Sequence, residues 1–444
     1  MFSSIFEGIS PRRNTATTAS PTSGGTTSGS SGASGVSLDA VVADIVTAHT
    51  PHGPLALSAA SQFLEEKLRN VSSKNNRLRT EFAALEALQA KRYNIDFDYT
   101  VAAAATEIEL NRYVDVLPYE HTRVKVIPYN ASSNGTSTSI EYSSSSPGNS
   151  FRSLLRRKSS SSKMQFIKEQ LATYINASNI TCSLNGPNTT TTTSWRYIAA
   201  QGPLPTTCGT FWEMIVQEKV HSIVMLTDII ENKRNKCHQY FALEPNTTLR
   251  ITPRLQVYTR SAQQVTPGLV LRKLEVIRDG SVENDYVCDH YHYTGWPDHG
   301  VPESAAPLCL LSYMLRTGSG GGGGGGGGNS VNNDVNNSSE RPIVVHCSAG
   351  IGRSGVFCVV DSALRRLIGA ATATGEVDVA TSVALTAQKA VNVGEIVAEL
   401  RKQRAGMVQT TEQFVFCHTA LLELTRVATA NLSSSQLPVQ PQQQ

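Results

Sequence analysis

Residues 343–355 read Ile343-Val344-Val345-His346-Cys347-Ser348-Ala349-Gly350-Ile351-Gly352-Arg353-Ser354-Gly355. An apolar run of strand length delivers a cysteine into a turn of small residues, and an arginine follows six positions later. Beyond the turn, Phe357, Val360, Leu364 and Leu367 recur at helical spacing, with Gly369 as the expected stop. The turn therefore joins a strand end to a helix N-terminus, where backbone N–H groups converge and the helix dipole is positive. Such a turn binds an anion, and the field that binds an oxyanion also stabilises a thiolate. Arg353 adds a planar fork suited to a tetrahedral oxyanion. Together these features point to phosphoryl transfer through cysteine.

Two other readings compete for the same stretch. Gly350-x-Gly352-x-x-Gly355 matches the dinucleotide fingerprint, and Glu376 lies at the spacing of a ribose-binding acid. That reading leaves Cys347 and Arg353 without a purpose, and the chain has no convincing second strand–helix–strand half. The other is a structural cysteine packed beside a turn, since free cysteine is often a small core hydrophobe. Of the eight cysteines, however, only Cys347 lies in a glycine-rich turn with an arginine six residues on.

Further blocks accompany this one. Asn111-Arg112-Tyr113-Val114-Asp115-Val116-Leu117-Pro118-Tyr119-Glu120-His121-Thr122-Arg123-Val124 comes first, followed by Tyr174-Ile175-Asn176-Ala177-Ser178. Tyr197-Ile198-Ala199-Ala200-Gln201-Gly202-Pro203-Leu204-Pro205 and Thr210-Phe211-Trp212-Glu213-Met214 come next. Thr294-Gly295-Trp296-Pro297-Asp298-His299-Gly300-Val301-Pro302 precedes the cysteine turn, and Val408-Gln409-Thr410-Thr411-Glu412-Gln413 follows it. In content and order these blocks, spanning residues 76–426, resemble the protein tyrosine phosphatases of the phosphotyrosine-specific, non-receptor type. The resemblance implies that family's α/β fold: a single domain with a central twisted mixed sheet flanked by helices. The residue patterns agree. Ser222–Leu226 and Pro342–Val345 read as buried strands, while Leu78, Phe82, Leu85 and Leu88 mark an amphipathic helix. A late helix begins at Ile396, Val397 and Leu400, with Arg401, Lys402 and Arg404 expected on its polar side; Phe414, Cys417, Leu421 and Leu424 mark the last.

The resemblance assigns roles residue by residue. Cys347 is the nucleophile that forms a cysteinyl-phosphate. Adjacent strand side chains point to opposite faces, so His346 does not pair with Cys347 as a protease dyad; the family implies that it orders the loop. Arg353, with the backbone of Ser348, Ala349, Gly350, Ile351 and Gly352, binds phosphate. A buried guanidinium needs a carboxylate, and the comparison points to Glu231, in a charged turn that otherwise reads as a solvated loop. Asp298 is the general acid, and then the base for water, on a loop shaped by Trp296 and Pro297. Ser354 either donates a hydrogen bond to sulfur or simply begins the helix. Gln409 positions water; Gln413 assists it or, in Thr410-x-x-Gln413, completes a capping box. Tyr113 stacks on the substrate ring, Asp115 accepts from the substrate backbone, and Val116 completes that wall. The implied substrates are phosphotyrosine-containing proteins. No cofactor and no metal is implied.

The 444 residues hold one large domain, expected at 55–430, after a low-complexity segment at 1–54 and before a tail at 431–444. Segments at 131–162 (Ser-rich), 317–341 (polyglycine) and 370–390 (Ala/Thr/Val-rich) read as insertions. Long surface loops add little closure entropy, so these leave catalysis intact. The Ser-rich insertion ends in Arg156-Arg157-Lys158-Ser159, which fits a basophilic kinase site at Ser159 or a merely solvated basic run. A net charge of +3 does not suggest nucleic-acid binding, although a local basic rim favours acidic phosphopeptides. No apolar run is long enough for a membrane span, and no signal sequence is apparent, so a cytoplasmic or nuclear location is expected. The cysteines lack framework or zinc spacing. Two other functions share the fold: an inactive phosphotyrosine-binding module, and a dual-specificity or lipid phosphatase. Intact Cys347, Arg353, Asp298 and Gln409 argue against the first, and the Tyr113 segment argues for phosphotyrosine specificity over dual specificity.

Overall fold

A computed structural model describes residues 52–72, 76–93, 98–107, 109–127, 171, 173–184, 194–278, 286–297, 300–317, 341–371 and 379–435. All of these lie in one unit of the chain, residues 36–444. Asp298, Ser159, the insertions at 131–162 and 317–341 (save its ends) and Glu376 fall outside the described residues.

The cysteine strand, β10 (Ile343–His346), is the late piece of an early framework. It lies between β2 (Ser194–Ala200) and β3 (Ser222–Met225), parallel to both, and β3 is parallel in turn to β9 (Tyr286–Tyr293). Antiparallel strands extend the sheet on either side: β1 (Ala177–Ser183) beyond β2, and β8 (Leu269–Arg278), β7 (Leu255–Thr266) and β6 (Thr247–Thr252) beyond β9. The order is β1-β2-β10-β3-β9-β8-β7-β6, a mixed sheet. A two-stranded hairpin, β4 (Ile230–Glu231) and β5 (Arg234–Asn235), stands apart from it. Every residue of β3 and β10 is buried, as parallel strands covered on both faces require.

Crossover helices provide that cover. α4 (Cys208–Gln217) links β2 to β3 and, through Phe211, Trp212 and Ile215, shares a core with Val344 and Ile223. On the opposite face α5 (Ala306–Thr317) and α6 (Gly352–Ala371) pack on Ile343 and Val345. That second core also takes in α1 (Gly53–Leu68), α2 (Arg77–Tyr93), α7 (Val379–Ala390), α8 (Val393–Arg401) and α9 (Thr411–Ser435). A small satellite forms around α3 (Thr100–Glu107), where Val101 and Ala105 meet Tyr174. Asn392 caps α8 by accepting from the Glu395 N–H. Among the described residues no helix is long and apolar enough to cross a membrane.

Two expectations change. α6 does not stop at Gly369 but continues to Ala371; Gly369 is a packing glycine, since a Cβ there would lie 2.8 Å from Leu184 Cδ2. Within the segment read as an insertion at 370–390, residues 379–390 form α7, and its Val383, Ala387 and Ala390 enter the core at helical spacing. The Ser-rich insertion joins blocks that are neighbours in space: Val124 N–H donates to Ala177 O at 3.0 Å and Asn179 N–H to Thr122 O at 2.8 Å.

Candidate active site

The parallel strands β2, β10, β3 and β9 end on one edge, with Ala200, His346, Met225 and His292 in register. Their loops meet there, outside the carboxyl ends of the strands where α/β sheets bind ligands. After β10 the chain turns at Gly350, whose φ is +74°; a Cβ there would overlap the carbonyl oxygen of Ala200. The turn brings the Gly350 N–H to 3.3 Å from Cys347 Sγ. Cys347 is buried, and Gly202 N–H holds the turn from β2 by donating to Ser348 O at 2.9 Å.

Arg353, in the first turn of α6, aims its guanidinium at the loop after β3. It donates to both oxygens of Glu231, at 2.5 and 3.0 Å, and to Leu226 O at 3.1 Å. Burial alone raises a carboxyl pKa, but the hydrogen bond and charge of Arg353, with help from Thr227, hold Glu231 well below the usual range. A further Arg353 bond, 3.3 Å to Pro297 O, reaches the loop that carries Trp296 and Pro297. The Trp296 ring lies 6.0 Å from that guanidinium, and its Nε1–H donates to Gly300 O.

Tyr113 forms a wall of the cup. Ser348 Oγ donates to Lys236 O at 3.0 Å, which leaves the Tyr113 hydroxyl to donate to Ser348 Oγ at 2.8 Å. The segment is fixed from below. Arg112 donates to Gly202 O, Pro203 O and Asn235 O, and Asn176 donates to Val116 O at 2.7 Å. Val116 packs against the core, whereas Asp115 is exposed. On the far side Gln409 and Gln413 cover Gly352: a Cβ there would lie 3.1 Å from Gln409 Oε1 and 3.1 Å from Gln413 Nε2.

The protein-tyrosine phosphatase family profile matches residues 107–423. The chain is 28% identical over 401 residues to the protein-tyrosine-phosphatase PTP1 of Arabidopsis thaliana, covering 88% of this chain and 93% of that one. It is 30% identical over 337 residues to the human tyrosine-protein phosphatase non-receptor type 2, covering 76% of this chain but only 61% of the relative. The crystal structure of the human protein tyrosine phosphatase non-receptor type 18 catalytic domain superposes with a TM-score of 0.55 at 26% identity, covering 83% of this chain and 99% of that one. The chain belongs to the protein-tyrosine phosphatase family. It is a protein-tyrosine-phosphatase enzyme, and the mixed sheet and flanking helices are that family's catalytic fold.

The phosphatase carries supports that no sequence pattern announced. His346 is fully buried on the face opposite the helix α6, with its ring edge-on to Phe211. Its Nδ1–H donates to the Cys347 carbonyl at 3.2 Å, which leaves Nε2 to accept from the Tyr240 hydroxyl at 2.7 Å. Tyr240 in turn accepts from His290 Nε2–H at 2.8 Å. The result is a directed chain, His290 to Tyr240 to His346 to the Cys347 carbonyl. Burial pushes His346 down to about 4 and holds His290 well below its ordinary value, so both rings are neutral at pH 7.

Two arginines correct the expected polar side of the late helix. Arg401 and Arg404 are buried, at 5% and 1% exposure, and only Lys402 faces solvent. Arg401 donates to Met407 O and Val408 O. Those bonds hold Val408 at φ +61°, a left-handed conformation rare for a β-branched residue and placed immediately before Gln409. Arg404 lies past the end of α8, where helical periodicity has no say. Ser354 is the third residue of α6 rather than its cap, and its buried hydroxyl has no partner among the described residues. Gln413 takes the capping role in part: its N–H donates to Thr410 Oγ1 at 3.2 Å, and its Oε1 accepts from Gln409 N–H at 2.9 Å. Among the described residues no cluster of His, Cys, Asp or Glu suits a metal.

Proposed function

We propose that this enzyme hydrolyses phosphotyrosine in proteins through a cysteinyl-phosphate. The Cys347 thiolate attacks phosphorus while the bond to the phenolic oxygen breaks, and Asp298 gives that oxygen its proton. Water, oriented by Gln409, then attacks phosphorus. Asp298 takes its proton, the S–P bond breaks, and inorganic phosphate leaves with the thiolate restored. The observation that carries this reading is the Glu231–Arg353 fork, which sets a fixed cation beside a cysteine in a glycine turn. Charge is met by Arg353 and by backbone N–H groups, so each step balances without a metal. Ser354, whose buried hydroxyl has no partner among the described residues, supplies a hydrogen bond to sulfur as the phosphoenzyme breaks down.

Tyr113, braced through Ser348, makes the slot deep enough that a phosphotyrosine reaches Cys347 while a phosphoserine falls short. The test is turnover of a phosphotyrosyl peptide in the presence of chelator. Cys347→Ser abolishes turnover. Asp298→Ala slows it by about 10²–10⁴-fold while peptide binding is kept. Equal loss of affinity on Asp298→Ala would sink the acid assignment, and faster turnover of phosphoserine or phosphoinositide would sink the specificity.

A further inference from the structure

We infer that Glu86 and Gln89 of α2 are positioning residues for hydrolysis of the phosphoenzyme: they hold the loop at 406–409 in the conformation that aims Gln409 at the attacking water. This rests on the phosphatase reading above, in which Gln409 has that task. Two residues of the loop are left-handed, Gly406 at φ +73° and Val408 at φ +61°. Glycine takes that conformation freely, whereas a β-branched residue persists in it only where its surroundings over-determine it. A relaxed Val408 turns the peptide that leads into Gln409 and moves the side chain that follows.

Two clamps on the loop come from the cysteine turn and from α9: Val408 N–H donates to Ile351 O at 3.0 Å, and Gln409 N–H to Gln413 Oε1 at 2.9 Å. The others trace to α2. Gly406 N–H donates to Gln89 Oε1 at 2.9 Å. Arg401, which donates to Met407 O at 2.9 Å and Val408 O at 2.8 Å, is itself ion-paired with Glu86 at 2.6 Å and lies over the Phe82 ring at 5.2 Å. Phe82, Glu86 and Gln89 stand at i, i+4 and i+7, so one face of α2 grips Gly406 directly and Met407 and Val408 through Arg401. Burial does not account for the two polar members of that face. Leu78 and Phe82 enter the core and seat the helix, whereas the Glu86 side chain is half exposed. A half-exposed ion pair adds little to global stability, so what Glu86 supplies is the orientation of the buried Arg401 guanidinium. α2 also precedes residues 107–423, the stretch that the family profile matches, so the match assigns nothing to these contacts. Attack by Cys347 makes no use of Gln409, and loosening the grip therefore slows the second step alone.

The test is Glu86→Ala/Gln89→Ala in the full chain, since alanine keeps α2 helical. Rapid-mixing kinetics with p-nitrophenyl phosphate separate the first-turnover release of p-nitrophenol, which reports attack by Cys347, from the steady state, which includes hydrolysis. In the double variant the first turnover stays within about twofold of the wild type while the steady-state rate falls about three- to tenfold, short of the ~10²-fold that a 1 Å misplacement can cost because Ile351 and Gln413 keep their hold. Acid-quenched mass spectrometry then finds a larger share of the variant phosphorylated on Cys347 than of the wild type. A merely structural α2 moves both phases together or neither, and either result overturns the inference. Gln409→Ala is measured alongside. An unchanged steady state there overturns the water-positioning reading, and absence of any p-nitrophenyl phosphate turnover by the wild type overturns the phosphatase reading itself. In both cases the grip is judged by hydrogen exchange. Faster exchange of the Gly406 and Val408 amides in the double variant, with α9 unchanged, sustains it, and unchanged exchange overturns it.

Discussion

Arg404 Nε donates to the Gly350 carbonyl at 2.9 Å, across 54 residues of sequence. The same guanidinium reaches Ala349 O, Ser178 Oγ and Asn176 Oδ1. All four acceptors are neutral. Burial lowers the guanidinium to about 10, so it remains charged at neutral pH. By pinning two carbonyls of the cysteine turn outward, Arg404 leaves the neighbouring N–H groups facing the cup. Arg404→Met orphans these buried acceptors, at about 1–3 kcal/mol for each that water does not reach. The expected result is a lowered urea midpoint and aryl phosphate turnover reduced by more than about tenfold even where the protein is folded. Full activity in a folded variant would remove Arg404 from the positioning of the turn.

The Glu231–Arg353 pair predicts an acid limb in stability. Glu231 is held below its unfolded value of 4.5, at about 2, so it binds a proton more weakly folded than unfolded. Its contribution is complete above 4.5 and is lost as pH falls towards 2. Chemical denaturation of Glu231→Gln should show a shallower loss of stability across that window than the wild type. Its kcat should fall as well, since Arg353 loses the partner's negative charge and one of its two acceptors.

Four histidines, three buried and one (His221) half-buried, act in a higher window. Burial takes His221, His292, His346 and His418 from 6.5 to about 4. The unfolded chain binds protons there more readily, so stability declines as pH falls from 6.5 to 4. Calorimetry at pH 7 and pH 5 should give the lower Tm at pH 5, with net proton uptake on unfolding. A flat profile would mean that these rings are solvated.

Tyr240→Phe deletes the hydroxyl between His290 and His346. It leaves His346 Nε2 and His290 Nε2–H buried without that partner, a cost of about 1–3 kcal/mol. The expected outcome is a measurable stability loss together with reduced kcat, because the His346 tautomer that donates to the Cys347 carbonyl is no longer fixed. Unchanged kcat would make the chain purely structural.

Alkylation should be selective. Burial pushes Cys182 to about 11, Cys208 and Cys309 to about 12, and Cys237, Cys288, Cys358 and Cys417 up as well. Mass spectrometry after brief iodoacetate treatment at pH 7 should place the label on Cys347, with phosphate protecting it. Labelling of several cysteines at similar rates would contradict this.

The chain from Ile343 to Gly355 was legible from its residues because strand, turn and helix start are local events. Apolar run, glycine and the helical spacing of Phe357, Val360 and Leu364 act over a few residues. The Glu231 partnership was legible only through family resemblance, since nothing local links it to Arg353. Where the reading was wrong, at Arg401 and Arg404, the fault lay in treating charge as a sign of solvent. Periodicity tells which residues share a face of a helix but not what covers that face, and Arg404 lies beyond the helix altogether. Gly369 was misread in the same way, because what it packs against, Leu184, belongs to a distant strand end.

The sequence by itself determined that a nucleophile-bearing turn stands between a strand and a helix, because backbone geometry over a dozen residues decides that. Only the tertiary structure decided what surrounds it: β10 threaded between β2 and β3, His290 and Tyr240 beneath one side, and Arg404 beneath the other. These partners come from far along the chain, and buried hydrogen bonds between them form only once the sheet has fixed their distances.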